Sequence, residues 1–392
     1  MNREQKIKVL IGVGGFYPGT NFGGPVTSLI NMCMALQDKI DFFIVTLNHD
    51  YNSNEKYKTV ENGWNYYSYA SVLYLNDAEI NKSTLSNIVH TIKPDVLLTN
   101  NFFLAKFTIP FLMIAKQNKL PIVIAPRGEF YPNAFNKKYK KMPYIWFTKA
   151  ILFGPNTFFL ATNEDEKSQF ISYLADSKKI FVIPNLATQY SADRLHKFEK
   201  NSLKLIYVAR IHESKNLLFA LRCLKKIKLP VEYSIYGTIE DKNYWVECQK
   251  AINDLPVNIK VKYEGTIDHD KLESVYCESD ALFLPTLTEN FGHSIAEALL
   301  CGTPVIIGDH TPWNWINEKN CGYAGDLSRE DEFVKALNHL AKLSDEKKEE
   351  ISSICIKEAK AFLEIDETKD KYLKMFLQLK NLEMKKNFET VV

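Results

Sequence analysis

The chain has 392 residues, and its 49 lysines and arginines nearly balance its 47 aspartates and glutamates. This length is typical of two domains, and the formal net charge of +2 argues against bulk electrostatic binding to nucleic acid. The seven cysteines are scattered without the CxxC spacing of zinc sites, which indicates reduced thiols. With neither a signal peptide nor an apolar run of the ~20 residues that span a membrane, the sequence predicts a cytoplasmic protein.

The first half of the chain alternates short β-branched runs with amphipathic stretches, which is typical of a parallel sheet with crossover helices. A buried strand is predicted at residues 7–13, and a helix is predicted at residues 26–36. Further strands are predicted at residues 42–46, 96–99, 122–125, 158–161 and 180–183.

A polar segment at residues 184–202 divides this series from a second one and suits a linker. The second series has predicted strands at residues 205–208, 232–236, 259–263, 281–284 and 305–307. The sequence therefore predicts an N-terminal Rossmann-like domain over residues 1–190 and a C-terminal one over residues 191–365. A helix within residues 366–392 could pack back on the first domain. Ligands of such folds bind beyond the carboxyl ends of the strands.

Two glutamates, Glu289 and Glu297, flank a predicted strand-to-helix turn. The strand is predicted at residues 281–284, and a helix that begins near Phe291 would end at Gly302, a residue suited to the C′ position. Eight helical steps come to about 80° beyond two full turns, so both carboxylates can address one side. The first amides of such a helix suit a negatively charged or hydroxyl-rich ligand. Taken alone, a solvated helix residue and a partner of the helix dipole are the simpler interpretation of the two glutamates.

The same segment resembles the E-x7-E signature of retaining glycosyltransferases of the GT-B fold, the group often called glycosyl transferases group 1. The residues that carry the resemblance are Glu289, Phe291-Gly292, Glu297-Ala298-Leu299 and Gly302-Thr303-Pro304-Val305. The resemblance implies that Glu289 contacts the hydroxyls of the donor sugar and that Glu297 binds the ribose hydroxyls. It also implies that the turn between them faces the sugar and the phosphates through Asn290, Phe291, Gly292 and His293.

A second match lies after the predicted strand at residues 205–208, where Arg210 and Lys215 precede a helix. This segment resembles the family's strand-Gly-Arg-x4-Lys-Gly segment, whose arginine and lysine clamp the diphosphate. Two fixed cations at the leaving group lower the barrier because they stabilise the negative charge that develops there. Ala209 and Asn216 stand where the family usually has glycine. A pair of ordinary surface charges is the alternative.

Three weaker marks support the same resemblance. Gly237 stands where the family has a glycine beside the nucleotide, and Ile267 falls where backbone groups usually hold the base. In the first domain, Gly23 and Gly24 precede the helix at residues 26–36, and glycines there let the backbone approach a ligand closely. The resemblance implies that this glycine pair faces the donor phosphates. A flexible loop without a binding role is the alternative.

On the acceptor side, many family members carry a histidine after a middle strand, near the reacting sugar. This chain has Pro126-Arg127-Gly128-Glu129 at that point, which is similar to members that build bacterial surface polysaccharides. Arg127 could contact an anionic acceptor or the donor phosphate, and Glu129 could pair with it. An ion pair with a purely structural role is an equal alternative.

Residues 137–147 combine four lysines with aromatic side chains. This composition suits peripheral contact with an anionic membrane, which a lipid-linked acceptor would make useful. The alternative is a solvated lysine face on a helix whose Tyr144, Trp146 and Phe147 belong to the core.

These features predict an α/β protein of the GT-B fold, with two Rossmann-like domains facing a central cleft. The resemblance implies a retaining, hexosyltransferase-type enzyme that moves a sugar from a nucleotide diphosphate sugar, UDP-linked rather than GDP-linked, to a saccharide acceptor. Its expected place is the synthesis of bacterial O-antigen, capsule or lipopolysaccharide, in the cytoplasm or at the inner face of the cell membrane. No metal and no cofactor besides the donor are expected, because no strand-flanked DxD motif is present. A nucleotide-sugar epimerase and a non-catalytic nucleotide-sugar-binding scaffold are the alternatives.

Overall fold

A computed structural model describes residues 5–19, 24–50, 53, 55–131, 135, 138–188, 190, 202–267 and 269–389. The chain divides into two compact units. The first unit comprises Met1–Leu186 with Ile365–Val392, and the second comprises Ala187–Glu364. Each unit is built on a mostly parallel sheet with crossover helices, so the predicted pair of Rossmann-like α/β domains is confirmed.

The sheet of the first unit has eight strands. In chain order they are β1 Ile7–Val13, β2 Ile40–Leu47, β3 Trp64–Tyr66, β4 Ser71–Leu75, β5 Val96–Asn100, β6 Ile122–Ala125, β7 Thr157–Ala161 and β8 Ile180–Val182. They lie in the order β3-β4-β2-β1-β5-β6-β7-β8, and every pairing is parallel except that of β3 with β4. Strands β5, β6 and β7 are buried at every residue, which is typical of parallel strands covered on both faces.

The helices of the first unit include one from the far end of the chain. They are α1 Gly24–Leu36, α2 Lys82–Ile92, α3 Ala105–Asn118, α4 Lys138–Phe147, α5 Glu164–Tyr173 and α12 Ile365–Glu389, with a π-helical turn at Thr148–Leu152. Asn81 and Asn163 cap α2 and α5 by accepting hydrogen bonds from Thr84 N and Glu166 N. Helix α12 buries Tyr372 and Phe376 in the same core as α1 and β1.

The second unit has a six-stranded parallel sheet. Its strands are β9 Leu203–Val208, β10 Val231–Tyr236, β11 Ile259–Gly265, β12 Ala281–Leu284, β13 Val305–Gly308 and β14 Gly322–Gly325. They lie in the order β11-β10-β9-β12-β13-β14. The helices are α6 Leu217–Lys225, α7 Lys242–Asn253, α8 His269–Cys277, α9 His293–Leu300, α10 Glu330–Ala341 and α11 Asp345–Leu363. This order places β9 and β12 side by side at the centre, where the direction of strand addition reverses.

The predicted strands all form, and their ends shift by at most two residues. Strands β3, β4 and β14 were not predicted: β3 and β14 are short edge strands, β14 carries glycine at both ends, and β4 lies between β3 and β2. Helix α9 begins at His293 rather than near Phe291, because Gly292 adopts a left-handed conformation (φ 79°) at the N-cap. Within the described part of the chain, no helix is both long enough and apolar enough to cross a bilayer.

Candidate functional site

Three of the predicted residues follow the two central strands of the second unit. Arg210 and Lys215 come after β9, and Glu289 comes after β12. In open α/β sheets, ligands bind beyond the carboxyl ends of the strands, at the point where the strand order reverses. The fold therefore brings these side chains to the edge of the sheet at which a ligand is expected.

Lys215 and Glu289 form an ion pair across this point. The distance from Lys215 Nζ to Glu289 Oε1 is 2.5 Å, and the two side chains are 17% and 11% exposed. The backbone joins the same two loops, because the carbonyl of Ser214 accepts hydrogen bonds from Leu287 N at 2.9 Å and from Thr286 Oγ1 at 3.1 Å. A charged pair with little exposure interacts more strongly than a surface pair. The loops after β9 and β12 thus act as one structure.

The loop after β9 has the backbone shape of a glycine-containing loop although it lacks the glycine. Asn216 lies in the left-handed region with φ 57°, between a short 3₁₀ turn and α6. Asparagine tolerates this conformation better than most residues. His212 caps the 3₁₀ turn by accepting a hydrogen bond from Ser214 N at 3.1 Å. The departure from the family pattern at Asn216 therefore leaves a well-defined turn.

Gly237 lies where the ends of β9 and β10 approach each other. Its φ is 147°, and a Cβ at this position would lie 1.9 Å from the carbonyl oxygen of Ala209, so only glycine fits. Its amide donates to the carbonyl of Gly265 at 2.8 Å. Ile267 follows β11 in the next loop and is half-buried. The ends of β9, β10 and β11 are therefore closely fitted together beside the loop that carries Arg210.

Arg210 pairs with a carboxylate that the sequence did not single out. Its guanidinium forms an ion pair with Glu240, with the arginine side chain 39% exposed. Glu240 lies thirty residues along the chain, and no motif connects the two residues, so only the fold could reveal the pair. The two cations thus differ: Lys215 is nearly enclosed, whereas Arg210 lies at the surface.

The turn before α9 is held by a hydrogen bond from a buried tryptophan. Trp313 is fully buried and donates from Nε1 to the carbonyl of Phe291 at 2.5 Å. The rings of Phe291 and His293 lie 4.7 Å apart between centroids. Gly292 separates them in its left-handed conformation, and Asn290 precedes them in the same loop. The turn is therefore held in place at the positive end of a helix.

Glu297 points into the interior of the second unit. It is 4% exposed, and its two oxygens accept hydrogen bonds from Tyr276 Oη at 3.0 Å and from Thr188 Oγ1 at 3.3 Å. Burial raises the pKa of Glu297 to about 7. Glu289 is instead directed at Lys215, so the two glutamates of the motif have different surroundings. A carboxylate has about four acceptor positions, so Glu297 retains capacity for further donors.

In the first unit, Gly23 lies outside the described residues, and Gly24 is the first residue of α1. The carbonyl of Gly24 accepts a hydrogen bond from Ser28 Oγ at 3.0 Å. The described residues contain no group of three or more histidine, cysteine, aspartate or glutamate side chains that could hold a metal ion.

Arg127 and Glu129 do not pair with each other but have separate hydrogen-bond partners. Arg127 has φ 53°, and it donates to Asn100 Oδ1 at 2.8 Å and to Asn185 Oδ1 at 2.5 Å. Glu129 accepts from the backbone amides of Phe102 and Phe103 at 2.5 and 3.2 Å, and burial raises its pKa to about 7. Glu129 therefore fixes the turn before α3, and the expected pairing with Arg127 is wrong.

Comparison with known proteins finds a similar family within the second unit. Residues 191–362 match the family model for glycosyl transferases group 1. The chain is 24% identical over 214 residues to an uncharacterised 41.2 kDa protein in the cps region of Klebsiella pneumoniae, covering 52% of this chain and 56% of that protein. It is 25% identical over 239 residues to the O-antigen chain mannosyltransferase RfbU of Salmonella typhimurium, covering 61% and 64% of the two chains. The chain thus spans less than two thirds of the length of these relatives.

Solved structures agree on the fold. The crystal structure of Anabaena Alr3699/HepE in complex with UDP and glucose matches with a TM-score of 0.71 at 14% identity, covering 95% of this chain and all of that one. Sucrose-phosphate synthase from Thermosynechococcus elongatus matches with a TM-score of 0.66 at 15% identity, covering 96% and 99% of the two chains. The chain therefore has the two-domain α/β fold known as GT-B, and its second unit is similar to the glycosyl transferases group 1 family over residues 191–362.

Proposed function

We propose that this chain is a retaining, metal-independent glycosyltransferase that uses a UDP-linked sugar as its donor. The observation that carries the proposal is the Lys215–Glu289 ion pair at the centre of the second unit, beside the loop that holds Arg210. Both cations follow the same strand, and both motif glutamates stand around α9. This arrangement can hold a nucleotide diphosphate and stabilise it as a leaving group.

In this proposal, Lys215 and Arg210 neutralise the negative charge that grows on the diphosphate as the glycosidic bond breaks. Fixed charges in a site with little water are effective because they need no reorganisation during the reaction. Lys215 is already oriented by Glu289 and is only 17% exposed. Glu289 has further acceptor positions beyond the one occupied by the lysine, and these would bind hydroxyls of the transferred sugar.

The nucleoside end of the donor is assigned to the other side of α9. The remaining acceptor positions of Glu297 would bind the ribose diol, with Tyr276 and Thr188 holding the carboxylate. Backbone groups near Gly237 and Ile267 would contact the base. A UDP-linked donor is favoured because solved structures of the same fold contain UDP and UDP-glucose.

We further propose a saccharide acceptor and a place in the synthesis of a bacterial surface polysaccharide. The support comes from the relatives, one named as an O-antigen chain mannosyltransferase and the other as a protein of a cps region. Retention and independence of metal follow from the resemblance to E-x7-E enzymes, in which the leaving phosphate is thought to help deprotonate the acceptor hydroxyl on the same face.

The decisive experiment is a thermal-shift panel of nucleotide sugars, followed by turnover of the best ligand. A ligand at 100 times its dissociation constant stabilises the folded state by ~2.7 kcal/mol, which raises the melting temperature measurably. We expect UDP-sugars to stabilise the chain more than GDP-sugars, and transfer to continue in excess EDTA. Stabilisation by GDP-sugars alone would refute the donor assignment, and loss of activity in EDTA that Mg²⁺ or Mn²⁺ restores would refute the metal-independent mechanism. Product formation without an acceptor would point to an epimerase.

A further inference from the structure

Helix α4 and the π-helical turn after it are apolar on two opposite sides. The inner side packs into the core of the first unit, where Ile145 and Leu152 are buried. On the outer side, four large apolar side chains lie exposed: Tyr139 (73%), Trp146 (67%), Phe147 (44%) and Ile151 (52%). We call these four residues the outer ridge. The alternative that places Trp146 and Phe147 in the core is therefore wrong.

The outer ridge stands on a firmly anchored segment. Tyr144 Oη donates to the carbonyl of Phe102 at 3.0 Å, and Thr148 Oγ1 donates to the carbonyl of Tyr144 at 2.9 Å. From the neighbouring helix, Lys116 Nζ donates to the carbonyl of Ile151 at 2.6 Å. The inner side holds the segment in place, so the exposure of the ridge belongs to the folded state. Several large exposed apolar side chains on one short segment are typical of an interaction site.

Along the chain, the charge of the segment that carries the outer ridge has a single sign. Residues 130–163 contain five lysines and no aspartate or glutamate. Lys149 is exposed between the ridge residues Phe147 and Ile151. Lys141, by contrast, turns inward over the ring of Phe103 at 4.4 Å. A symmetric contact with a second copy of this chain would bring like charges together, whereas an anionic surface would neutralise them.

We propose that the outer ridge docks on the surface of an anionic lipid bilayer. Aromatic rings favour the headgroup level of a membrane, because one part of the ring is apolar and another is polar. The neighbouring lysines would be attracted by anionic headgroups. Neither the placement of the rings nor the attraction of the lysines depends on the donor chemistry proposed above. If the acceptor is lipid-linked, docking would raise its effective concentration at the enzyme.

The test uses the whole chain with two kinds of vesicle, one of phosphatidylcholine alone and one with an equal amount of phosphatidylglycerol. Co-sedimentation should show binding to the anionic vesicles and little to the neutral ones, and added salt should weaken it. Trp146→Ala should reduce the partition constant by about tenfold or more, because the removed ring no longer enters the headgroup layer. Lys149→Ala should reduce it by about fivefold. Tyr66→Ala is the matched control, since Tyr66 is 80% exposed in β3 of the same unit.

Unchanged vesicle binding by Trp146→Ala and by a second variant, Ile151→Ser, would overturn the proposal. Equal binding of the parent chain to both kinds of vesicle, or binding to neither kind, would also overturn it. A dimer in size-exclusion chromatography that Trp146→Ala dissociates would also overturn it, in favour of a second copy of the chain. Thermal melting shows whether each variant is folded. Transfer to a water-soluble saccharide without vesicles should be the same in Trp146→Ala as in the parent chain. Loss of transfer in the parent chain would defeat the proposed function and leave the docking result standing.

Discussion

Lys215 is enclosed on the side of Glu289 and belongs to a loop that the backbone of Ser214 ties to the neighbouring strand exit. Water around a solvated lysine screens its charge, whereas an enclosed lysine interacts strongly with any anion that replaces the water. The proposed chemistry therefore depends strongly on the charge of Lys215.

We predict that Lys215→Ala lowers turnover at saturating donor by roughly 10² or more, as loss of other groups that stabilise developing charge does. Arg210→Ala should act in the same direction. The matched control is Lys260→Ala, because Lys260 is 78% exposed and pairs only loosely with Glu232 at 3.8 Å. Steady-state kinetics of the three variants checks the prediction. Near-normal turnover in Lys215→Ala would reduce the Lys215–Glu289 pair to a structural contact.

The two glutamates should separate binding from turnover. We predict that Glu297→Gln weakens the binding of UDP by about tenfold or more, since a charge-assisted hydrogen bond contributes about 1.5 to 3 kcal/mol. Glu289→Gln should leave UDP binding nearly intact and lower turnover with the full donor, because UDP lacks the transferred sugar. Calorimetric titration and kinetics on both variants provide the comparison. Equal losses of UDP affinity would contradict the division of roles.

The buried carboxyl of Glu297 should also make stability depend on pH. Burial raises the pKa of Glu297 from 4.5 to about 7 in the folded chain, so the folded state holds a proton that the unfolded state releases in this window. This contribution to stability is fully present below pH ~4.5 and is lost as the pH rises through about 7.

We predict that Glu297→Gln, which mimics the protonated acid, melts at a higher temperature than the parent chain at high pH. A gain of 1 kcal/mol corresponds to roughly 2–4 °C for units of this size. The difference should shrink as the pH falls from about 7 and vanish below pH ~4.5, where the carboxyl of Glu297 is protonated in both the folded and the unfolded chain. Differential scanning calorimetry across that range gives the curve. A difference that does not change with pH would show that the carboxyl of Glu297 is ionised throughout.

At the scale of elements, the sequence could predict most strands, because strands that are covered on both faces consist of continuous apolar runs. It could not predict β3 or β14, which lack such runs, and it did not predict β4, although Ser71–Leu75 carries one. The residue types of the site could be predicted from the motif, since Glu289, Glu297, Arg210 and Lys215 belong to recognisable segments. Their partners could not. The contact of Arg210 with Glu240, and that of Glu297 with Tyr276, join separate elements, and sequence spacing says nothing about such distances.

Gly237 tests how tightly the loops of the second unit are fitted. We predict that Gly237→Ala destabilises the chain by more than about 3 kcal/mol, because the new Cβ would collide with the backbone of Ala209. Gly63→Ala is the matched control: Gly63 also has positive φ, at 90°, but its Cβ would meet nothing within 4 Å. The control should cost about 1–2 kcal/mol, the penalty of the left-handed backbone alone. Urea denaturation of both variants measures the difference, and equal costs would contradict the proposed collision.

At the scale of the whole molecule, the first unit is assembled from both ends of the chain. Helix α12 supplies Tyr372, Met375, Phe376 and Leu379 to its core, each at most 2% exposed. Burial of four such side chains contributes roughly 6 to 12 kcal/mol, comparable with the entire stability of a typical domain. The first unit therefore depends on residues that follow the second.

We predict that a chain ending at Glu364 loses the structure of the first unit while the second unit still binds UDP. Limited proteolysis with and without UDP would show a protected fragment that corresponds to the second unit. Two substitutions in the complete chain refine the test: Phe376→Ala should cost about 3 to 5 kcal/mol, whereas Leu377→Ala, at a position 43% exposed, should cost little. A truncated chain that resists proteolysis throughout would contradict the dependence on α12.

The position of α12 also determines the order in which a nascent chain can mature. A ribosome releases the chain from its N-terminus, and N-terminal domains usually fold first. Here the sheet of the first unit leaves the ribosome early, but α12, whose Phe376 packs against Phe42 of that sheet, leaves after the whole second unit. The second unit, continuous from Ala187 to Glu364, can finish while the first still exposes apolar surface. In the cell, the interval before α12 emerges is therefore the period in which this protein most needs a chaperone.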